Sequence, residues 1–363
     1  MTVTRLGGFS TNPEAPGPAG PRLARHTLTL DDGHRVGLAV CGQGLPAVLV
    51  HGFTAEGILY AQTLARLVKM GFKVVAIDVA GHGATQGLPT GGRSLASYSA
   101  LLARVLDHLG IGRSLLVGHS LGGRLVTELA ANDPDRAVAV VLIDATVGDT
   151  WDRLVNVSRL APPVLVGVGA ALVVDTVSTL PVVRDRSQAL KLGRLVAPTL
   201  IGHARRPWQM FGPAVSLLRS PSSAPLLHTL AERKVPVVVV HGDRDIVVPY
   251  RTATDTARAS HGWLVTVHGG THSWVLKDPE TLPGIVADLL RGPLAGLREQ
   301  VLTDVGLDPA TVTNAEVEDA FLPADAVVRQ LTPAWVPPAV PRPPQPPRYR
   351  WTITGEPKSS GVG

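Results

Sequence analysis

The 363-residue sequence predicts an α/β fold with a mostly parallel central sheet flanked by helices. Short apolar runs alternate with amphipathic stretches, as βαβ crossovers require. The composition can also bury a large core, with 45% hydrophobic and only 17% charged residues.

Residues 1–21 are rich in Gly and Pro and read as a flexible N-terminal arm. From Arg22 to Gly42 apolar and polar residues alternate about Asp31-Asp32-Gly33-His34, which predicts a β-hairpin. Six apolar runs follow: Ala47–Val50, Lys73–Ile77, Ser114–Val117, Val138–Ile143, Val235–Val240 and Leu264–Val267. Each is short, β-branched and apolar throughout, as a strand buried on both faces must be. Amphipathic helices are expected near 60–70, 94–109 and 121–132.

The alternation breaks at Gly148 and resumes near Ala224. The intervening stretch, 150–223, is expected to form a helical lid inserted after the sixth strand. The core is then 22–149 and 224–292, with a final helix from Ser273 to Arg291. Residues 293–363 form a C-terminal extension with a Pro-rich tail. Its segment 332–351 carries eight prolines between Pro333 and Pro347, a composition that favours polyproline II and excludes helix or sheet. That segment reads as a docking strap or, more simply, a disordered end.

The single cysteine, Cys41, excludes a disulfide framework and a thiolate metal site, and fits a cytoplasmic setting. The first twenty residues hold no apolar run of signal-peptide length. The most apolar stretch, 161–180, has the length of a membrane span, but Pro162, Pro163, two glycines and Asp175 interrupt it. It is expected to be a buried or interface-seeking part of the lid. From Trp151 to Ser223, nine Arg or Lys against three Asp leave +6 of the chain's +5, so the remainder is near neutral. No Lys/Arg run with interleaved aromatics occurs, which argues against nucleic acid. Basic residues beside an apolar stretch leave transient contact with an anionic membrane surface, or an acidic substrate, as open readings next to a plain solvated arginine face. Nothing in the pattern specifies an oligomeric state.

The strongest local signal is Gly118-His119-Ser120-Leu121-Gly122, between a strand and a helix. A strand turning sharply into a helix raises the central serine at the sheet edge, and small flanking residues let neighbouring backbone approach. A serine hydroxyl needs a base within hydrogen-bond reach. His272, in Gly269-Gly270-Thr271-His272-Ser273-Trp274, follows the last apolar run and is the candidate; His268 is its rival. The base needs a carboxylate behind its other ring nitrogen. His241-Gly242-Asp243-Arg244-Asp245 offers two, with Asp245 the candidate and Asp243 expected to be structural or paired with Arg244. Asp144 is a third option. Oxyanion donors are expected from the amides of Leu121 and Phe53.

These motifs, with the turn HGF at 51–53, DVAGHG at 78–83 and HGDRDIVVP at 241–249, resemble the α/β-hydrolase superfamily, specifically its lidded esterase- and lipase-like members. The order Ser, Asp, His is also the superfamily's. The resemblance covers about Arg22–Arg291 and implies the α/β-hydrolase fold, with Ser120, Asp245 and His272 as catalytic residues and Phe53 and Leu121 as the oxyanion hole. It implies a structural turn at Asp78, Gly81, His82 and Gly83. Serine rather than aspartate at position 120 argues against the epoxide-hydrolase and dehalogenase branches. The implied activity is cleavage of a small-molecule carboxylic ester with an apolar acyl group, through an acyl-enzyme, with no cofactor and no metal. Thioesterase, acyltransferase and perhydrolase chemistry use the same residues and remain alternatives, as does a non-catalytic binding protein on this fold.

Overall fold

The structure, a computed structural model, describes residues 4–5, 24–53, 60–88, 94–179, 208–331 and 346–355. One sheet holds β1 (Thr4–Arg5), β2 (Ala24–Thr29), β3 (Arg35–Cys41), β4 (Leu45–Val50), β5 (Phe72–Ile77), β6 (Ser114–His119), β7 (Ala137–Ile143), β8 (Val237–Gly242), β9 (Trp263–His268) and β10 (Arg350–Thr354). Their spatial order is β1-β2-β3-β5-β4-β6-β7-β8-β9-β10. From β5 through β9 every neighbour is parallel, and the pairs outside that block are antiparallel. The six apolar runs read from the sequence are these six parallel strands. Residues of β5, β7 and β8 are buried without exception, because helices cover both faces.

α1 (Ala61–Val68) and the helix Thr281–Arg291 cover one face, and α2 (Leu95–Leu109) and α3 (Leu121–Asn132) cover the other. α2 starts where the Ser94 side chain accepts from Ser97 N–H and stops at Gly110, whose φ of 75° only glycine adopts without cost. The hairpin turns as expected, with Thr29 opposite Arg35 and Gly33 at φ 80°.

α4 (Asp149–Leu160), α5 (Pro162–Thr179) and the helix Trp208–Leu218 follow β7; residues 180–207 lie outside the described residues. Trp151 and Val155 of α4 pack on Val247 and Val248, and Asp175 of α5 comes within 3.9 Å of Lys277. These helices therefore lie over the carboxyl ends of β8 and β9. No helix among the described residues is long and apolar enough to cross a membrane.

Three expectations are corrected. Thr4–Arg5 of the presumed flexible arm pair with β2, so the helices of 149–179 follow the seventh strand and not the sixth. The final core helix is broken into Trp274–Lys277 and Thr281–Arg291, because the Asp278 carboxylate turns back to accept from Thr281 N–H at 3.1 Å. The tail, expected to exclude sheet, contributes Arg350 and Trp351 to β10. The proline-dense run ends at Pro347, so residues 348–354 all carry amide donors, and β9 offers an open edge; residues 332–345 lie outside the described residues. Of the two roles expected for Asp243 it takes the structural one, accepting from Gly269 N–H at 2.7 Å and pairing with His268 at 3.2 Å.

The extension also packs against the amino ends of the strands. Val301, Leu302, Val317 and Phe321 bury with Val138. The Lys73 ammonium on β5 meets Glu318 at 3.0 Å, both groups being buried, and Glu318 accepts from Gly44 N–H as well.

Candidate active site

β6 ends at His119 and α3 begins at Leu121, leaving Ser120 as the whole connection. Its φ of 54° and ψ of −119° are strained for a residue with a side chain, at a cost of about 1–3 kcal/mol. Crowding enforces the flanking glycines. A Cβ on Gly122 would lie 2.1 Å from Val50 O, and one on Gly123 2.4 Å from the Ala145 Cβ.

The loops after β6, β8 and β9 bring three side chains into one buried chain. Ser120 Oγ lies 3.0 Å from His272 Nε2, and His272 Nδ1 lies 2.8 Å from Asp245 Oδ2. An ionised carboxylate only accepts, so Nδ1 carries the imidazole proton and Nε2 is the lone pair facing the serine hydroxyl. The other Asp245 oxygen accepts from Val247 N–H (2.7 Å) and Val248 N–H (2.8 Å). Burial pushes this carboxyl up, but His272, His241 and the amide donors outweigh burial and hold it below the usual carboxylate range.

Phe53 follows β4, and its carbonyl accepts from His82 Nε2 at 2.5 Å. The preceding Gly52 touches the serine, since a Cβ there would lie 2.9 Å from the Ser120 Cβ. Gly52, which precedes Phe53, thus approaches Ser120 from the β4 side, and Leu121 follows the serine as the first residue of α3.

Asp144 ends β7 at φ 43° and accepts from Gly242 N–H at 2.8 Å. Burial, then the Asp245 charge, push it well above the ordinary carboxylate range. His241 stands between the two aspartates, 3.8 Å from Asp144 and 3.5 Å from Asp245, and donates from Nε2 to Val248 O. Ligand atoms of Asp144, His241 and Asp245 lie within 4.8 Å of one another. Asp245 and one atom each of the other two are already hydrogen-bonded, so the cluster reads as support for Asp245 and not as a metal site.

The rival base, His268, is exposed and has both ring nitrogens bonded, to Asp243 and to Thr352 of β10. His51 is committed to Gly52 O and Val79 N–H. Sequence reasoning missed Tyr60 and His241. His241 had a signal, as the last apolar-flanked residue before the Asp243–Asp245 loop; Tyr60 had none, since its partner is 59 residues away.

A serine on a strand–turn–helix connection, with an imidazole and a carboxylate from later loops of the same sheet edge, defines a hydrolase of the α/β fold. A family described as alpha/beta hydrolase fold matches residues 46–164. A putative non-heme haloperoxidase of Mycobacterium phage D29 is 32% identical over 270 residues, 73% of this chain and 94% of that protein. A non-heme haloperoxidase of Rhodococcus erythropolis is 28% identical over 271 residues, 72% of this chain and 97% of that protein. Among solved structures, one from a study of carboxylesterases of Nitrososphaera gargenis has a TM-score of 0.56 at 22% identity, covering 76% of this chain and 99% of that one; the likeness is one of fold. The chain belongs to the α/β-hydrolase family.

Proposed function

We propose that the protein cleaves a carboxylic ester by way of an acyl-enzyme on Ser120. The observation that carries this reading is the hydrogen-bonded chain from Ser120 through His272 to Asp245. Ser120 Oγ attacks the ester carbonyl while His272 Nε2 takes its proton. Asp245 keeps the imidazole in the required tautomer and stabilises the imidazolium. The amides of Phe53 and Leu121 receive the oxyanion. The tetrahedral adduct collapses, and His272 returns the proton to the departing alkoxide. Water then attacks the acyl-Ser120, again deprotonated by His272, and releases the carboxylic acid.

An apolar acyl group suits the site, because Val168, Ala171, Leu172 and Leu217 of the overlying helices cluster with Val247 and Val248 beside Asp245. The outer surface is apolar too, with Val166 71%, Val174 61% and Ile246 62% exposed. The stretch 151–223 also carries a net +6 in sequence, and with these exposed apolar side chains it supports a reading of transient contact with anionic lipid.

The haloperoxidase names of two relatives favour one second reading, in which hydrogen peroxide replaces water and the acyl group leaves as a peracid. Hydrolysis of a p-nitrophenyl ester chain-length series, with and without peroxide, tests both. Ser120→Ala should abolish turnover of every chain length. Equal activity in variant and wild type would reject the assignment, and peracid accumulation would select the second reading.

A further inference from the structure

His119, buried between β6 and Ser120, has both ring nitrogens engaged. Nε2 lies 3.0 Å from the main-chain carbonyl of His272, and Nδ1 lies 2.7 Å from the Tyr60 hydroxyl. A carbonyl only accepts, so the neutral ring carries its proton on Nε2 and offers Nδ1 as the acceptor. The Tyr60 hydroxyl must therefore donate to His119, which leaves its oxygen to accept, and Gly52 N–H is directed at it. The fit is tight, since a Cβ on Gly52 would come within 3.1 Å of His119 Nδ1.

One phenol and one imidazole thus tie together three loops. They are the turn carrying Gly52 and Phe53, the elbow carrying Ser120, and the loop carrying His272. The His272 ring is anchored by Asp245, but the ring's position also depends on its main chain, and His119 is the side chain that holds that carbonyl. Burial, followed by the proximity of His272, pushes His119 down to about 3, so the ring stays neutral beside an imidazole that must become cationic. Their ring centroids are 5.1 Å apart, where two cations would repel.

We infer that Tyr60 and His119 are positioning residues, which set the reach of His272 Nε2 to Ser120 Oγ by holding the His272 carbonyl. This inference rests on Ser120 being the nucleophile. A bond between buried polar groups that merely stabilises the fold would change the unfolding temperature and leave kcat alone. A positioning role changes kcat with little change in KM, because misplacing a base by even 1 Å can cost about 100-fold in rate.

The test uses the full-length chain and three variants, His119→Leu, His119→Gln and Tyr60→Phe. Readouts are p-nitrophenyl butyrate kinetics, the rate of Ser120 labelling by a fluorophosphonate, and thermal unfolding. His119→Leu should lower kcat and the labelling rate together, by about 10- to 100-fold, with KM within about twofold. His119→Gln, whose amide can donate to the same carbonyl, should recover most of that loss. Tyr60→Phe, which leaves the His119 donor in place but unguided, should fall between wild type and His119→Leu. The inference is overturned if folded His119→Leu labels as fast as wild type, or if kcat falls only in step with the unfolding temperature and Gln restores nothing. Should His119→Leu fail to fold, Tyr60→Phe decides: kcat equal to wild type overturns the inference, and a selective loss of kcat supports it. Wild-type protein that neither hydrolyses the ester nor labels at Ser120 removes the hydrolase reading itself, and the positioning role with it.

Discussion

Two buried aspartates stand within reach of one histidine, and their environments push them in opposite directions. Asp245 receives two amide donors and the His272 imidazole, whereas Asp144, more deeply buried, receives the Gly242 amide and the Trp274 indole and faces the Asp245 charge. The account therefore predicts that Asp245→Asn lowers kcat by about 10³- to 10⁴-fold, through the wrong imidazole tautomer, and that Asp144→Asn leaves kcat within a few-fold. Steady-state ester hydrolysis checks both. The raised Asp144 also has a consequence for stability. Its folded-state preference for the neutral form contributes stability fully below the unfolded value of 3.8, and that contribution is lost as pH rises through the folded value. Asp245, held low, works the other way, stabilising above 3.8 and losing that contribution as pH falls through its own folded value. Asp144→Asn should therefore gain on wild type as pH rises from 4 to 8 in urea unfolding; a difference independent of pH would contradict the assignment. Ser120, Asp245 and His272 were legible because each stands in a short motif after an apolar run. Tyr60 was not, because the chain reveals no register between α1 and the elbow.

Among the elements, the parallel strands and α1 to α3 were legible from period and composition, with boundaries within one to two residues. β10 was not. Its five residues carry only a weak alternation behind a proline run, and the signal that places them is the open edge of β9, a tertiary fact. Trp351 then donates to Asp288 at 3.0 Å and nests over Gly284, where a Cβ would lie 2.7 Å from the indole. Trp351→Ala should cost on the order of 2 kcal/mol in chemical unfolding, from lost apolar burial and the lost bond. The helix Asn314–Phe321 is held by a different device, the buried pair of Lys73 and Glu318. Lys73→Met should destabilise by about 3 kcal/mol, because it removes the nearer cation from a buried carboxylate and leaves it the Gly44 amide and Arg329 at 3.9 Å, and Lys73→Met with Glu318→Leu should recover most of it. A double variant no better than the single one would show that the packing there, and not the charge, sets the cost.

At the scale of the molecule, the chain arranges its chemistry at the carboxyl ends of the parallel strands, while its extension packs helices at their amino ends and adds β10 along the β9 edge. The described helices after β7 pack on Val247 and Val248 and leave Val166 and Val174 exposed. If the outward face meets lipid, Val166→Ser with Val174→Ser should lower co-sedimentation with phosphatidylglycerol vesicles while leaving hydrolysis of a soluble ester unchanged; equal sedimentation with neutral and anionic vesicles would dismiss the contact. The loss of strand rhythm after Gly148 was legible, but the seating of α4 on Val247 and Val248 was not, since amphipathic pattern does not name its partner.

The central claim is that the ester's acyl group passes through a covalent bond to one serine. Acid quenching during turnover of a p-nitrophenyl ester, followed by peptide mapping by mass spectrometry, tests it most directly. The account predicts the acyl mass on the peptide carrying Ser120, absent from Ser120→Ala and sharply reduced in His272→Ala. Turnover with no acyl adduct, or with the adduct on another residue, would contradict it.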